Sequence, residues 1–262
     1  MGSKIGIDGR LSWASLLHSA THQPGVISAA FKMFHNYSVG NQLLAMEQCH
    51  MRGITPGPIS TFVGWKEKNR YVRKGEKAIV LCMPVTAKKR RENPETGETE
   101  EDKFTMFLYK ANWFVYAQTE GEEIKPEVLP NWSSAKALDT LKISRVAFSS
   151  TSGNTMGYAS KRDVAINPVC PKPTKILFHE MAHIMLGHCD GGVMEDGEHI
   201  SRNLKEAEAE AVALIVGESL GLPGADESRG YIQHWYQNCE IPEKSAQRIF
   251  KVADQILKAG EV

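Results

Sequence analysis

The sequence has no apolar run that approaches the ~20 residues a membrane-spanning helix needs. An integral membrane protein is therefore not expected. Residues Met1–Gly6 lack the apolar core of a signal peptide, so the cytoplasm is the expected compartment. Cysteine is scarce: Cys49, Cys82, Cys170, Cys189 and Cys239 are scattered, odd in number and without a Cys-x-x-Cys pair. Such usage points to reduced thiols rather than a disulfide framework. There is no internal repeat and no net charge across the 262 residues. The neutrality is not local: residues 1–125 hold 17 Lys/Arg against 13 Asp/Glu, and the remainder holds 14 against 18. Two parts with different partners are expected from that asymmetry.

What is present is organised around His179-Glu180-Met181-Ala182-His183. On a helix, residues four apart lie on one face, so His179 and His183 can aim two imidazoles at one point. Glu180 lies about 100° further round the axis, beside that point. The pattern suits a zinc ion with two nitrogen ligands and a carboxylate beside its water. The flanking Ile176, Leu177, Phe178, Ile184, Met185 and Leu186 predict burial, and Gly187 can close the helix. His188, nine residues after His179, would sit about 180° round a continuing helix and is expected off the metal. A third ligand is offered by a second helical stretch, Leu204–Gly217, with Glu206, Glu208 and Glu210 near its start. Glu206 and Glu210 share a face. Glu206 is read as the ligand and Glu210 as the group that hydrogen-bonds a ligand imidazole, the reverse being the alternative. Glu208 points about 160° away and is read as a solvated charge.

Along the chain, residues 11–22 and 31–52 carry helical patterns, the second interrupted near Asn36–Asn41. Short β-like runs follow at Thr61–Trp65, Ala78–Met83, Lys103–Tyr109 and Trp113–Tyr116, with a mobile hairpin tip expected over residues 88–102. Glu120–Pro130 is polar, proline-bearing and aperiodic, and reads as a linker between domains 1–125 and 126–262. After it come a helix over Trp132–Leu141 and small strands near Arg145–Phe148, Met156–Tyr158 and Asp163–Asn167. The last of these is a candidate sheet edge for an extended peptide. Helices over 204–220, 226–238 and 242–259 complete the chain. Tyr231 and His234 are candidate donors to a developing oxyanion.

Lys66 to Arg91 holds ten basic residues against Glu67 and Glu76. Within it Trp65, Lys66, Lys68, Arg70, Tyr71, Arg73, Lys74 and Lys77 interleave cations with rings. Single-stranded nucleic acid takes that combination: cations for phosphates, rings for unstacked bases.

The two halves together resemble the ArdC-type antirestriction proteins of mobile elements. The N-terminal likeness lies in Tyr37-Ser-x-x-Asn41-x-Leu-Leu44 with Gln48, in Phe62-x-x-Trp65 followed by Val72-Arg-Lys-Gly-Glu-Lys77, in Pro84, and in Phe114-x-x-x-Gln118-Thr-Glu-Gly121. The C-terminal likeness lies in His179-Glu-x-x-His183 with Gly187-His188, Glu206-x-x-Ala-Glu210 and Leu220-Gly221. The stretch after His183 is also similar to ImmA/IrrE-type metallopeptidases, which act on repressors. The resemblance implies an α+β fold: a helix-plus-small-sheet single-stranded-DNA-binding domain, then a mostly helical, zincin-like metallopeptidase domain. It implies a gluzincin-like zinc peptidase with Glu180 as general base, acting on a host protein or peptide and bound to single-stranded DNA. The alternatives are a DNA protector whose zinc is structural, or a peptidase that cleaves a repressor.

Overall fold

The structure is a computed structural model that describes residues 12–92, 99–125, 128–149, 154–190, 201–236 and 241–262. In chain order its elements are α1 (Trp13–His22), α2 (Val26–Phe34), α3 (Val39–Arg52), β1 (Ile59–Thr61), α4 (Phe62–Glu67), β2 (Arg70–Val72), β3 (Ile79–Glu92), β4 (Thr99–Val115) and β5 (Thr119–Gly121). Then come α5 (Ser134–Thr140), β6 (Ser144–Arg145), β7 (Gly157–Ser160), β8 (Asp163–Ile166), α6 (Pro173–Met185), α7 (Arg202–Ser219), α8 (Ala225–Tyr236) and α9 (Glu243–Gly260). The class is α+β. Among the described residues no helix is long and apolar enough to cross a membrane.

The chain folds as two compact units, residues 44–125 and residues 1–43 with 126–262. The boundary after residue 125 is present in this grouping, with a second one after residue 43 that sets the N-terminal helices with the C-terminal half. The reason lies in their faces. Leu16, Leu17 and Ala20 of α1 and Ile27, Ala30, Phe31 and Phe34 of α2 are buried. Arg229 of α8 donates to Ala20 O at 2.8 Å and pairs with Glu218 of α7, which also accepts from Gly25 N at 2.9 Å. The first-turn amides of Trp13 and Ala14 each donate to the Glu243 carboxylate at 2.9 Å. A carboxylate at a helix N-terminus satisfies donors that the helix cannot.

In the 44–125 unit, β1, β4 and β3 form an antiparallel sheet in that order, and β2 pairs with β5. The run Thr61–Trp65 is not a strand. Thr61 accepts from Gly64 N at 3.1 Å and so caps α4. The two runs expected at 103–109 and 113–116 are one strand, β4, whose pairing with β3 shifts register at Ile79/Val80. Gln48 of α3 grips that point: its amide oxygen accepts from Val80 N at 2.9 Å, and its nitrogen donates to Val80 O at 2.8 Å. The register sets Lys89, Arg90 and Arg91 opposite Asp102, Glu101 and Glu100. Of the expected hairpin tip, residues 93–98 lie outside the described residues. The expected linker begins inside β5.

In the other unit, β6, β8 and β7 form a small sheet in that order, β6 parallel and β7 antiparallel to β8. Helix α7 is the core: every residue from Ala207 to Val216 is buried. Helix α9 buries Ala246, Ile249, Phe250, Ala253, Ile256 and Leu257 at helical spacing.

Candidate metal centre

Pro173 at the first turn starts α6, and its apolar residues Leu177, Phe178, Met181 and Ala182 sink it into the core. The helical period then brings His179 and His183 together, with Nε2 atoms 3.1 Å apart. Ser201 caps α7, accepting from Leu204 N at 3.3 Å, and the second turn presents Glu206. Its Oε2 lies 3.4 Å from His179 Nε2 and 3.6 Å from His183 Nε2. The three ligand atoms lie within 4.8 Å of one another, a group able to hold a metal ion.

Glu210 stands behind this group, with Oε2 3.0 Å from His179 Nδ1 and Oε1 2.9 Å from Lys175 Nζ. Glu208 is not solvated. It is fully buried, and its Oε2 lies 2.8 Å from His188 Nε2. His188 Nδ1 in turn lies 2.9 Å from His183 Nδ1. His188 is off the ligand group, but extrapolating α6 misplaces it. The helix ends at Met185, and Gly187, at φ +73°, turns the chain so that the ring folds back against His183. That conformation is open to glycine at little cost.

The charges follow from this packing. Burial disfavours a charged His179, but hydrogen bonds to Glu206 and Glu210 outweigh it and raise its pKa from 6.5 to about 9. Contact with His179, and then the nearness of the His183 ring, hold Glu206 far below the usual carboxylate range. Burial pushes Glu180 up, opposed by the two nearby histidines. Burial also pushes His188 down, against the pull of Glu208. Tyr231 is 46% exposed, and what burial it has raises its phenol, as do the negative charges of Glu206 and Glu210. His234 is exposed.

The edge strand next to α6 is β7, not the Asp163–Asn167 strand. Strand β8 is central, paired on both sides. Gly157 opens β7 where it meets the helix: a Cβ there would lie 2.5 Å from Ile176 Cγ2, 3.2 Å from Ala165 O and 3.3 Å from Glu180 Cγ. A cleft of about 190 Å³ lies alongside, lined by Met156, Cys170, Pro171, Lys172, Ile176 and Glu227.

The basic stretch is divided by burial. Trp65 is fully buried and its Nε1 donates to Phe114 O at 2.7 Å, so neither face is open for stacking. Arg70 is also buried. It donates to Thr119 Oγ1, Thr119 O, Gly121 O and Glu122 O, and lies 3.9 Å over the Tyr116 ring. Both are corrected to framework residues: a polar group at a buried position is held there by its partners. Lys66, Lys68, Tyr71, Arg73, Lys74 and Lys77 are exposed. Arg73 is occupied, donating to Glu76 and to Ala117 O at 2.7 and 2.6 Å. Phe62, unremarked in the sequence as a contact residue, is 54% exposed beside these lysines, as is Tyr71.

The family described as the N-terminal domain of anti-restriction factor ArdC matches residues 8–114, a span that crosses from one compact unit into the other. Among curated protein sequences none matches the chain. Two crystal structures of the antirestriction protein ArdC from plasmid R388 share the fold. The metal-free one has TM-score 0.55 and 19% identity, over 94% of this chain and 93% of that one. The Mn(II)-bound one has TM-score 0.54 and 18% identity, over 94% and 96%. Residues 8–114 thus match the N-terminal domain of that family, and the chain shares the fold of the R388 ArdC structures along most of its length.

Proposed function

We propose that this chain is an ArdC-type protein that acts against restriction as a DNA-associated metallopeptidase, binding single-stranded DNA and hydrolysing a peptide bond in a host protein. The observation that carries the peptidase reading is the convergence of His179, His183 and Glu206 with Glu180 beside them. The donor set fits a divalent ion: three groups from two packed helices, two of them braced from behind. Two imidazoles and one carboxylate favour zinc, while a structure of the R388 protein is Mn(II)-bound. Such an ion would supply Lewis-acid activation of water and of the scissile carbonyl.

The chain's own residues supply the rest. Glu180 is buried, and that burial raises its pKa, which makes the carboxylate a stronger proton acceptor. It accepts the proton of the attacking water and delivers it to the leaving amine. Strand β7 offers an extended substrate an edge beside α6 that no described strand pairs with. The Tyr231 hydroxyl is the candidate donor to the oxyanion. In the 44–125 unit, Lys66, Lys68, Lys74 and Lys77 meet phosphates while Phe62 and Tyr71 stack on bases.

The deciding experiment is Glu180→Ala. It should keep one bound metal per chain and DNA binding, and lose proteolysis of the host target. Full protection from restriction by that variant would refute the peptidase reading in favour of a DNA protector.

A further inference from the structure

Glu208 calls for an explanation. A carboxylate with no solvent exposure is costly unless its partners are well placed. Its Oε2 faces His188 Nε2 at 2.8 Å, and the Arg248 guanidinium approaches Oε1 at 3.9 Å while donating to Leu186 O. A carboxylate only accepts, so the proton of this bond sits on His188 Nε2. His188 Nδ1 then carries a lone pair, and the group 2.9 Å away is His183 Nδ1. That bond exists only if His183 donates. A neutral His183 with its proton on Nδ1 has its Nε2 lone pair free, and Nε2 is the atom facing His179 and Glu206.

We propose that His188 and Glu208 are positioning residues for His183: the buried carboxylate, acting through one neutral imidazole, fixes which nitrogen of His183 is open to the metal. The proposal rests on the metal-centre reading above. The two ligand histidines are then braced in different ways. Glu210 holds His179 directly, whereas Glu208 holds His183 through a second ring. The opposite proton order would put a hydrogen on His183 Nε2, pointed into the ligand group, where it blocks coordination.

The test uses the full chain and zinc itself, titrated against a competing chelator. His188→Ala, and His188→Phe to fill the volume, should each weaken zinc about 10- to 100-fold, the usual effect of losing an outer partner of a ligand histidine. The melting point of the metal-free protein should hold in at least the Phe variant. A second readout separates orientation from mere packing. Cobalt(II)-substituted wild type should show one slowly exchanging, shifted ring N–H resonance from His179 and one from His183. His188→Phe should lose the His183 resonance to exchange and keep the other. Wild-type zinc affinity in both variants, or retention of both resonances, overturns the relay and leaves the metal centre standing. A wild-type chain that binds no metal overturns the metal centre and the relay with it.

Discussion

Glu206, Glu208 and Glu210 occupy alternate positions of one helix, yet their carboxylates end on three different sets of atoms. The charge that Glu206 and Glu210 place on His179 carries a pH signature in the metal-free protein. Its folded pKa of about 9 lies above the ordinary 6.5, so the stability it contributes is complete below about 6.5 and is lost as pH rises through 9. Glu206 and Glu210 are depressed, so their contribution is present above the usual 4.5 and lost on acidification below it. The melting point of the chelated protein should thus be highest between about 4.5 and 6.5, and Glu210→Gln should flatten the alkaline fall. An unchanged alkaline slope in that variant contradicts the assignment. The spacing of His179, His183 and Glu206 was legible because a helix has a fixed period. Glu208 was not, since reading its 160° offset as solvent assumes a helix with a wet side, and α7 has none over this stretch.

Among the elements beside the metal group, β7 carries a tight constraint. Any side chain at Gly157 pushes on Ile176, on the β8 backbone and on Glu180. Gly157→Ala should therefore cut peptidase turnover by on the order of 10- to 100-fold through a displaced Glu180, with metal content unchanged. Loss of metal instead would mean that the strand supports the ligands rather than the base. In the other unit, Lys66 and Lys74 are the cleaner pair to reverse, because Arg73 already has protein partners. Lys66→Glu with Lys74→Glu should weaken single-stranded DNA binding at least tenfold and lower the salt slope by about one per lost phosphate contact. Gel-shift titrations at two salt concentrations measure both, and an unaltered affinity removes this surface from the interface. The basic density of the stretch was visible in the sequence. Its division into framework and surface was not, because Thr61 reads equally as a β-branched strand residue and as a helix cap.

At the scale of the molecule, the apolar stripes of α1 and α2 were readable, but no local pattern says which helices cover them. Those partners are fixed by buried polar contacts more than 190 residues away, such as Gly25 with Glu218. Arg229→Ala removes one of them and leaves Glu218 buried with a single amide donor. Its cost should be about 3 kcal/mol in chemical denaturation, with new protease cleavage within residues 13–43 of the folded protein. An unshifted unfolding midpoint would contradict that role. The same arrangement orders events during synthesis. In residues 44–125 the strands pair with one another, β1 and β3 with β4 and β2 with β5, so these pairings can form once that segment leaves the ribosome. Helix α1 emerges before that segment, but the carboxylate that receives Trp13 and Ala14 belongs to Glu243 of α9, made more than 100 residues after it. The unit that holds the metal site therefore cannot close until α9 has been made, and α1 and α2 wait for it with their apolar faces uncovered.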